Sequence, residues 1–227
     1  MYLFRHGEVS YIDKTGAAVA DPTKVCLTKL GESQANLINK NTMNIKFDKI
    51  ACSGLLRTKQ TAAHVTKRLG LNLDIYPNLE EIKGGTEKGS REIDINKDIA
   101  YHFENISSEE DKFFAMGENY NDCRERVINQ IQLILKEDWN CMAIILHGGI
   151  NAILLSWILG IRINGAALFD QVPGCMNIID FDLNALCEIK RKTIRAINVP
   201  PDLYSSELTG FTSWEKVAKE IEPFFKN

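Results

Sequence analysis

Positive charge is not in surplus in this sequence: 27 Lys and Arg stand against 30 Asp and Glu, for a formal net charge of −3 and a pI near 5.9. A nucleic-acid backbone is held by a basic footprint, so no nucleic-acid partner is expected. Long apolar runs are also missing. Nothing approaches the roughly 20 residues that cross a bilayer, and the three apolar residues at the start are too few for a signal-peptide core. A cytoplasmic protein without membrane contact is the expectation. The six cysteines (Cys26, Cys52, Cys123, Cys141, Cys175 and Cys187) show no Cys-x-x-Cys spacing, and several sit inside apolar runs. Buried free thiols are therefore expected, not disulfides or zinc ligands. There is no Pro/Gly/Ser-rich linker, internal repeat or low-complexity segment, so the 227 residues are read as one domain. No strand-glycine-helix dinucleotide fingerprint and no P-loop occur either.

A hydrophobic fraction of 44% with 25% charged residues is ample for a core and argues against disorder. Three apolar runs share one grammar. Tyr2-Leu3-Phe4 runs into Arg5-His6-Gly7, Lys49-Ile50-Ala51-Cys52 into Ser53-Gly54-Leu55-Leu56-Arg57, and Met142-Ala143-Ile144-Ile145-Leu146 into His147-Gly148-Gly149. If all three are parallel strands of one sheet, their carboxyl ends lie along the edge where open α/β sheets place ligands. Arg5, His6, Arg57 and His147 would then converge on one pocket.

Between these runs the periodicity predicts helices. Thr28 precedes an amphipathic pattern through Leu37 and Ile38, and the stretch from Arg57 to Leu69 reads as a helix stopped by Gly70. A third helix is predicted from about Asn119 to Lys136, with Cys123, Val127, Ile131 and Leu135 on one face, and a fourth from about Gly149 to Leu159. Leu73 to Tyr76 reads as a short strand ended by Pro77, and two last strands are expected near 178–181 and 187–198 with a turn around Asp182-Leu183-Asn184. Residues 9–25 read as a loop over the carboxyl edge, 83–118 as a lid-like insertion, and 212–225 as a closing helix that starts with a capping box at Thr212-Ser213-Trp214-Glu215. Alternating strands and helices imply an α/β fold, three-layer αβα and doubly wound, with a mostly parallel sheet and an edge antiparallel strand. His64 and His102 are read as packing or surface residues.

Arg5-His6-Gly7, the run Ser53-Gly54-Leu55-Leu56-Arg57-Thr58-Lys59-Gln60-Thr61-Ala62 and His147-Gly148-Gly149 together resemble the histidine phosphatase superfamily, also called phosphoglycerate mutase-like. Leu27-Thr28-Lys29-Leu30-Gly31-Glu32-Ser33-Gln34-Ala35 matches its Leu-Thr-x-x-Gly-x-x-Gln-Ala segment, and the likeness spans roughly the first 180 residues. The resemblance implies a phosphatase that needs no metal and no cofactor and acts on a small phosphorylated metabolite. A homodimer is common among such proteins and is left open.

The chemistry of the residues fits. Transfer of a phosphoryl group spreads negative charge over its equatorial oxygens, and Arg5 and Arg57 supply planar forks that match them. His6 can serve as nucleophile if its other ring nitrogen donates to a carbonyl and sets the tautomer. His147 and Gly148 are assigned to phosphate binding, His147 also to the catalytic set, because the glycines let an anion approach the start of a helix. Glu81 is the candidate proton donor to the leaving group. Its surroundings, Leu79-Glu80-Glu81-Ile82-Lys83-Gly84-Gly85-Thr86-Glu87-Lys88-Gly89, resemble the phosphatase branch's Leu-x-Glu-Ile-x-x-Gly-x-Trp-Glu-Gly, with Glu87 and Lys88 in place of its tryptophan and second acid. Gly117-Glu118-Asn119 resembles a Gly-Glu-Ser segment and makes Glu118 a supporting residue. Mutases of the superfamily resemble Arg-His-Gly-Glu-Ser-x-x-Asn, whereas Glu8 here is followed by Val9-Ser10-Tyr11-Ile12, which favours hydrolysis. A bisphosphoglycerate-dependent mutase and a non-catalytic phosphate-binding module stay open as alternatives.

Overall fold

Met142–Leu146 is apolar at all five positions and fully buried, as a central strand covered on both faces must be. It forms β4 of a six-stranded sheet in a computed structural model that describes residues 1–15, 19–84, 102–108, 110–113 and 117–203. The other strands are β1 (Tyr2–Arg5), β2 (Lys49–Cys52), β3 (Leu73–Ile75), β5 (Met176–Leu183) and β6 (Ile189–Val199), and the sheet order is β3-β2-β4-β1-β5-β6. β3, β2, β4 and β1 are mutually parallel, while β5 runs antiparallel to both β1 and β6. Within the sheet, antiparallel pairing thus occurs only on the two sides of β5.

Among the described residues four α-helices connect the strands: α1 (Lys29–Asn41), α2 (Leu56–Leu69), α3 (Tyr120–Ile134) and α4 (Gly148–Ile158). Side chains alternate across the sheet, which divides the core in two. Tyr2, Phe4, Ile50, Cys52, Ala143 and Ile145 pack with Ile38 of α1 and Ala62 and Val65 of α2. Leu3, Ala51, Ile144 and Leu146 face the opposite way, onto Val127 and Ile131 of α3 and Ile150 and Ile153 of α4. The result is the expected three-layer αβα arrangement.

Element ends follow local chemistry. Thr28 caps α1 by accepting from the Gly31 N–H, and α2 ends at Gly70, whose φ of +66° is the left-handed region that glycine enters without strain. β5 begins at Met176, two residues before the predicted start, because its first residues pair with Phe4, Leu3 and Tyr2. The turn after it also lies later than expected: β5 continues to Leu183, and Asn184 Oδ1 then accepts from the Leu186 and Glu188 N–H groups. His64 bonds Glu32 between α2 and α1, and His102 sits among Phe103, Phe113 and Tyr120, so both stay outside the site. All six cysteines are free. Cys52, Cys123 and Cys175 are buried as expected, but Cys26 and Cys187 are exposed. The closing helix expected at 212–225, and Gly85, Glu87, Lys88 and Gly89 of the insertion expected at 83–118, lie outside the described residues.

The Leu-Thr-x-x-Gly-x-x-Gln-Ala segment acquires a physical meaning here, because it clasps the chain just after β1. Gln34 accepts from the Glu8 N–H at 2.8 Å, and Thr28 donates to the Glu8 carboxylate at 2.7 Å. Gly31 lies against the backbone of Gly7 and Glu8 so closely that a Cβ on residue 31 would stand 2.2 Å from the Glu8 carbonyl oxygen. Backbone cannot swing aside as a side-chain end can, so Gly31→Ala should act as overpacking and cost about 1–3 kcal/mol. Urea unfolding measures it. A wild-type midpoint would mean that α1 withdraws from residues 7–8 at no cost.

Candidate active site

The parallel strands end on one edge, and at three of those ends the chain delivers a polar side chain to the candidate site. Arg5 closes β1 and His6 follows it, Ser53 follows β2, and His147 follows β4 as the residue before α4. The His6 N–H bonds the Leu146 carbonyl at 3.0 Å, which continues the β1–β4 ladder by one residue and sets the His6 and His147 rings 5.2 Å apart, edge to face.

His6 is buried, and its Nδ1 lies 2.7 Å from its neighbour's carbonyl, Gly7 O. A carbonyl only accepts, so Nδ1 carries the proton and Nε2 keeps the lone pair. That lone pair accepts from Arg57 Nε at 3.2 Å, while Arg57 Nη1 donates to the Pro22 carbonyl at 3.1 Å. Burial, followed by the nearby Arg57 and Arg5 guanidiniums, pulls His6 down to about 3 against the opposing pull of the Gly7 carbonyl. The ring is neutral at neutral pH, with Nε2 directed at a fixed cation.

Arg5 donates through Nη1 to the Gln171 carbonyl, and its Nε is buried with no partner among the described residues. Gly148 packs against that guanidinium: a Cβ there would meet Arg5 Nε at 3.4 Å. Glu81 arrives from the turn after β3. Its carboxyl accepts from the Gly149 N–H at 3.2 Å and from the Ile82 N–H at 3.1 Å. Burial nevertheless pushes this carboxyl above the ordinary range, outweighing both N–H bonds and the pull of Arg57 and Arg5. Arg5, His6, Arg57, Glu81, His147 and Gly148 are therefore brought into one cluster.

Several supporting residues were not read from the sequence. Thr61, one turn after Arg57 on α2, accepts from the Gly7 N–H at 3.1 Å and donates to the Arg57 carbonyl at 2.8 Å. Its spacing of four from Arg57 was the signal available. Arg126 of α3 holds the segment that carries Glu81, donating to the carbonyls of Asn78 at 2.6 Å and Glu80 at 2.9 Å. Glu118 pairs with Arg126 and accepts from the Lys83 N–H at 3.1 Å, so its reading as a supporting residue agrees with the geometry. Gln171, whose carbonyl aims Arg5, is fixed through its side chain by the buried Asn151 and Asn177. Arg126 and Gln171 act on backbone carbonyls or through them, which leaves no pattern in the sequence.

Two arginines, two neutral imidazoles and a carboxyl with raised proton affinity at a sheet edge have the chemistry that holding an oxyanion requires. Residues 1–193 match the profile of the histidine phosphatase superfamily (branch 1), and the chain belongs to that superfamily. It is 25% identical over 201 residues to the adenosylcobalamin/alpha-ribazole phosphatase of Escherichia coli K12, a match that covers 87% of this chain and 95% of that protein. It is 24% identical over 167 residues to the Erwinia tasmaniensis protein named "Probable phosphoglycerate mutase GpmB", covering 72% and 76%. In fold it is similar to the crystal structure of the alpha-ribazole phosphatase from Shigella flexneri, with a TM-score of 0.68 at 24% identity over 88% of this chain and 96% of that one.

The depressed His6 has a consequence for stability whose sign follows from linkage. Above the ordinary histidine value of 6.5 the ring is neutral in both folded and unfolded chains. Below it the unfolded chain takes up a proton that the folded chain refuses, so stability falls as pH drops towards about 3, by at most ~1.4 kcal/mol per pH unit for this one group. His6→Asn removes the term. Urea unfolding between about pH 6.5 and pH 5 should show a shallower loss in the variant than in the wild type, and equal slopes would mean that folded His6 protonates freely.

Proposed function

We propose that this chain is a phosphatase that hydrolyses a small phosphomonoester through a phosphohistidine on His6, with Glu81 as proton donor. The observation that carries this reading is the His6 ring itself: Nδ1 is committed to the Gly7 carbonyl, and Nε2 presents its lone pair beside the Arg57 guanidinium. An incoming phosphoryl oxygen takes over the Arg57 Nε–H and so frees that lone pair to attack phosphorus. Arg5, Arg57, His147 and the Gly148 amide bind the oxygens, and the charge is carried by these groups without a metal ion.

In the first step the Nε2–P bond forms and the P–O bond to the leaving group breaks. The departing oxygen takes its proton from Glu81, whose raised proton affinity suits a general acid near neutral pH. In the second step the Glu81 carboxylate accepts a proton from water, the new hydroxide oxygen bonds to phosphorus, and the N–P bond breaks. Orthophosphate leaves, and Glu81 is again protonated. Relatives named as phosphatases and the absence of the mutases' Glu-Ser-x-x-Asn after Arg-His-Gly both support hydrolysis over transfer.

Rapid quenching with labelled substrate should recover phosphate on His6, and His6→Ala should abolish turnover with or without 2,3-bisphosphoglycerate. Label on a serine or cysteine would refute the mechanism, and activity seen only with the bisphosphate would favour the mutase. Chelators should leave the rate unchanged.

Glu81→Gln should slow phosphorylation of His6 by an alkyl phosphate about 10²–10⁴-fold, the usual range for a positioned acid. With an aryl phosphate, whose leaving group needs little protonation, the loss should be far smaller. Single-turnover rates for the two substrates decide it, and equal losses would remove Glu81 from the acid role.

A further inference from the structure

His147 is the one imidazole of the pair whose tautomer no carbonyl sets. It is fully buried, its Nε2 lies 2.7 Å from Ser53 Oγ, and its Nδ1 has no partner among the described residues. Ser53 Oγ in turn lies 3.1 Å from Thr58 Oγ1, and Thr58 Oγ1 lies 2.8 Å from the Leu55 carbonyl. Each hydroxyl has a single proton, so the chain of contacts can be read in one direction only. The Leu55 carbonyl cannot donate, and Thr58 must spend its proton there. Thr58 therefore accepts from Ser53, which leaves Ser53 Oγ only lone pairs to offer His147. The Nε2 of His147 must carry a proton, and in the neutral ring Nδ1 is a lone pair.

A lone pair repels the oxygens of a bound phosphoryl group, yet these are the partners that the site is read as receiving. We propose that Ser53 and Thr58 form a one-way hydroxyl relay that holds His147 as its Nε2–H tautomer, so that oxyanion binding is coupled to uptake of one proton at Nδ1. The proton comes from solvent and forms the Nδ1–H bond, and His147 then donates to the anion as an imidazolium. No other bond changes. This inference rests on the reading of the cluster as a phosphate site, and makes Ser53 and Thr58 positioning residues.

The surrounding charges make the coupling strong. The ring is faced by His6 and Arg5 at the end of β1, Arg57 of α2 and Arg126 of α3, while the Glu81 carboxyl sits two residues along on the Gly149 amide. Burial, then His6 and these three cations, hold His147 well below the ordinary histidine range while the site is free. A dianion reverses the sign of the local field, and the same burial that disfavoured the imidazolium then strengthens its pairing with the ligand.

The test is the ¹⁵N spectrum of histidine-labelled protein at neutral pH, titrated with inorganic phosphate. Free protein should show a protonated Nε2 and an unprotonated Nδ1 on His147, and saturating phosphate should protonate both nitrogens. A protonated Nδ1 in the free protein would overturn the relay. A ring that stays neutral while the His6 resonances report bound phosphate would overturn the coupling but leave the phosphate site intact. Resonances of both histidines that ignore phosphate would sink both readings. Thr58→Val removes the acceptor and frees the Ser53 proton to turn towards His147, so part of the free variant should show the Nδ1–H tautomer. Thr58→Ser should restore the wild-type spectrum, which a purely structural role for Thr58 does not require.

Discussion

The pairing of β1 with β4 is the constraint on which the site depends. Its register sets Arg5 opposite Leu146, and the bond from the His6 N–H to the Leu146 carbonyl carries the ladder past the last paired residue. Two imidazoles, delivered by segments 141 residues apart in sequence (147 − 6), become neighbours through this ladder. A slip of one residue would turn every β1 side chain to the opposite face, exchanging Leu3 for Phe4 in the two halves of the core. Such a slip is resisted because both faces are filled: Leu3 and Phe4 are each buried among different helices. The core therefore protects the geometry of the site.

Burial then decides the charge state of the groups gathered there. Two guanidiniums stand beside two imidazoles and a carboxyl, and the low polarity of the surroundings penalises charge on the last three. Both imidazoles are driven neutral and the carboxyl is driven towards its protonated form. Desolvation thus acts on the two imidazoles and the carboxyl alike, each time against the charged form. The same desolvation lowers the proton affinity of the imidazoles and raises that of the carboxyl, so it moves the two kinds of group in opposite directions.

Around these groups the polar side chains divide the work of aiming them. The motif that begins at Ser53 sends successive side chains to different targets: Ser53 to His147, Arg57 to His6, Gln60 to the Leu27 N–H and Thr61 to the Gly7 N–H. The Leu27 to Ala35 segment clasps residues 7–8 from the other side. Arg126 with Glu118 steadies the Glu81 turn, and Gln171 steadies Arg5. Buried polar groups left half satisfied are costly, so networks of this kind hold a single arrangement of the site.

Much of this was legible in the chain itself. Apolar runs ending in Arg-His-Gly, Ser-Gly-Leu-Leu-Arg and His-Gly-Gly, separated by helical periods, determined an α/β sheet with these polar residues at one edge, because a strand buried on both faces must be apolar throughout and can place polar side chains only at its end. The glycine stop at Gly70 and the Thr28 cap were equally readable, since both act within a few residues. What only the tertiary structure decided were relations between distant segments. The order of strands, with β4 between β2 and β1, brings His147 between Ser53 and His6. The tautomers follow from which oxygen lies beside each ring nitrogen. Arg126 and Gln171 could not have been found, because they work through backbone carbonyls, and every residue has one. Hydrogen bonds to such groups depend on position alone, and position is set by how the whole chain packs.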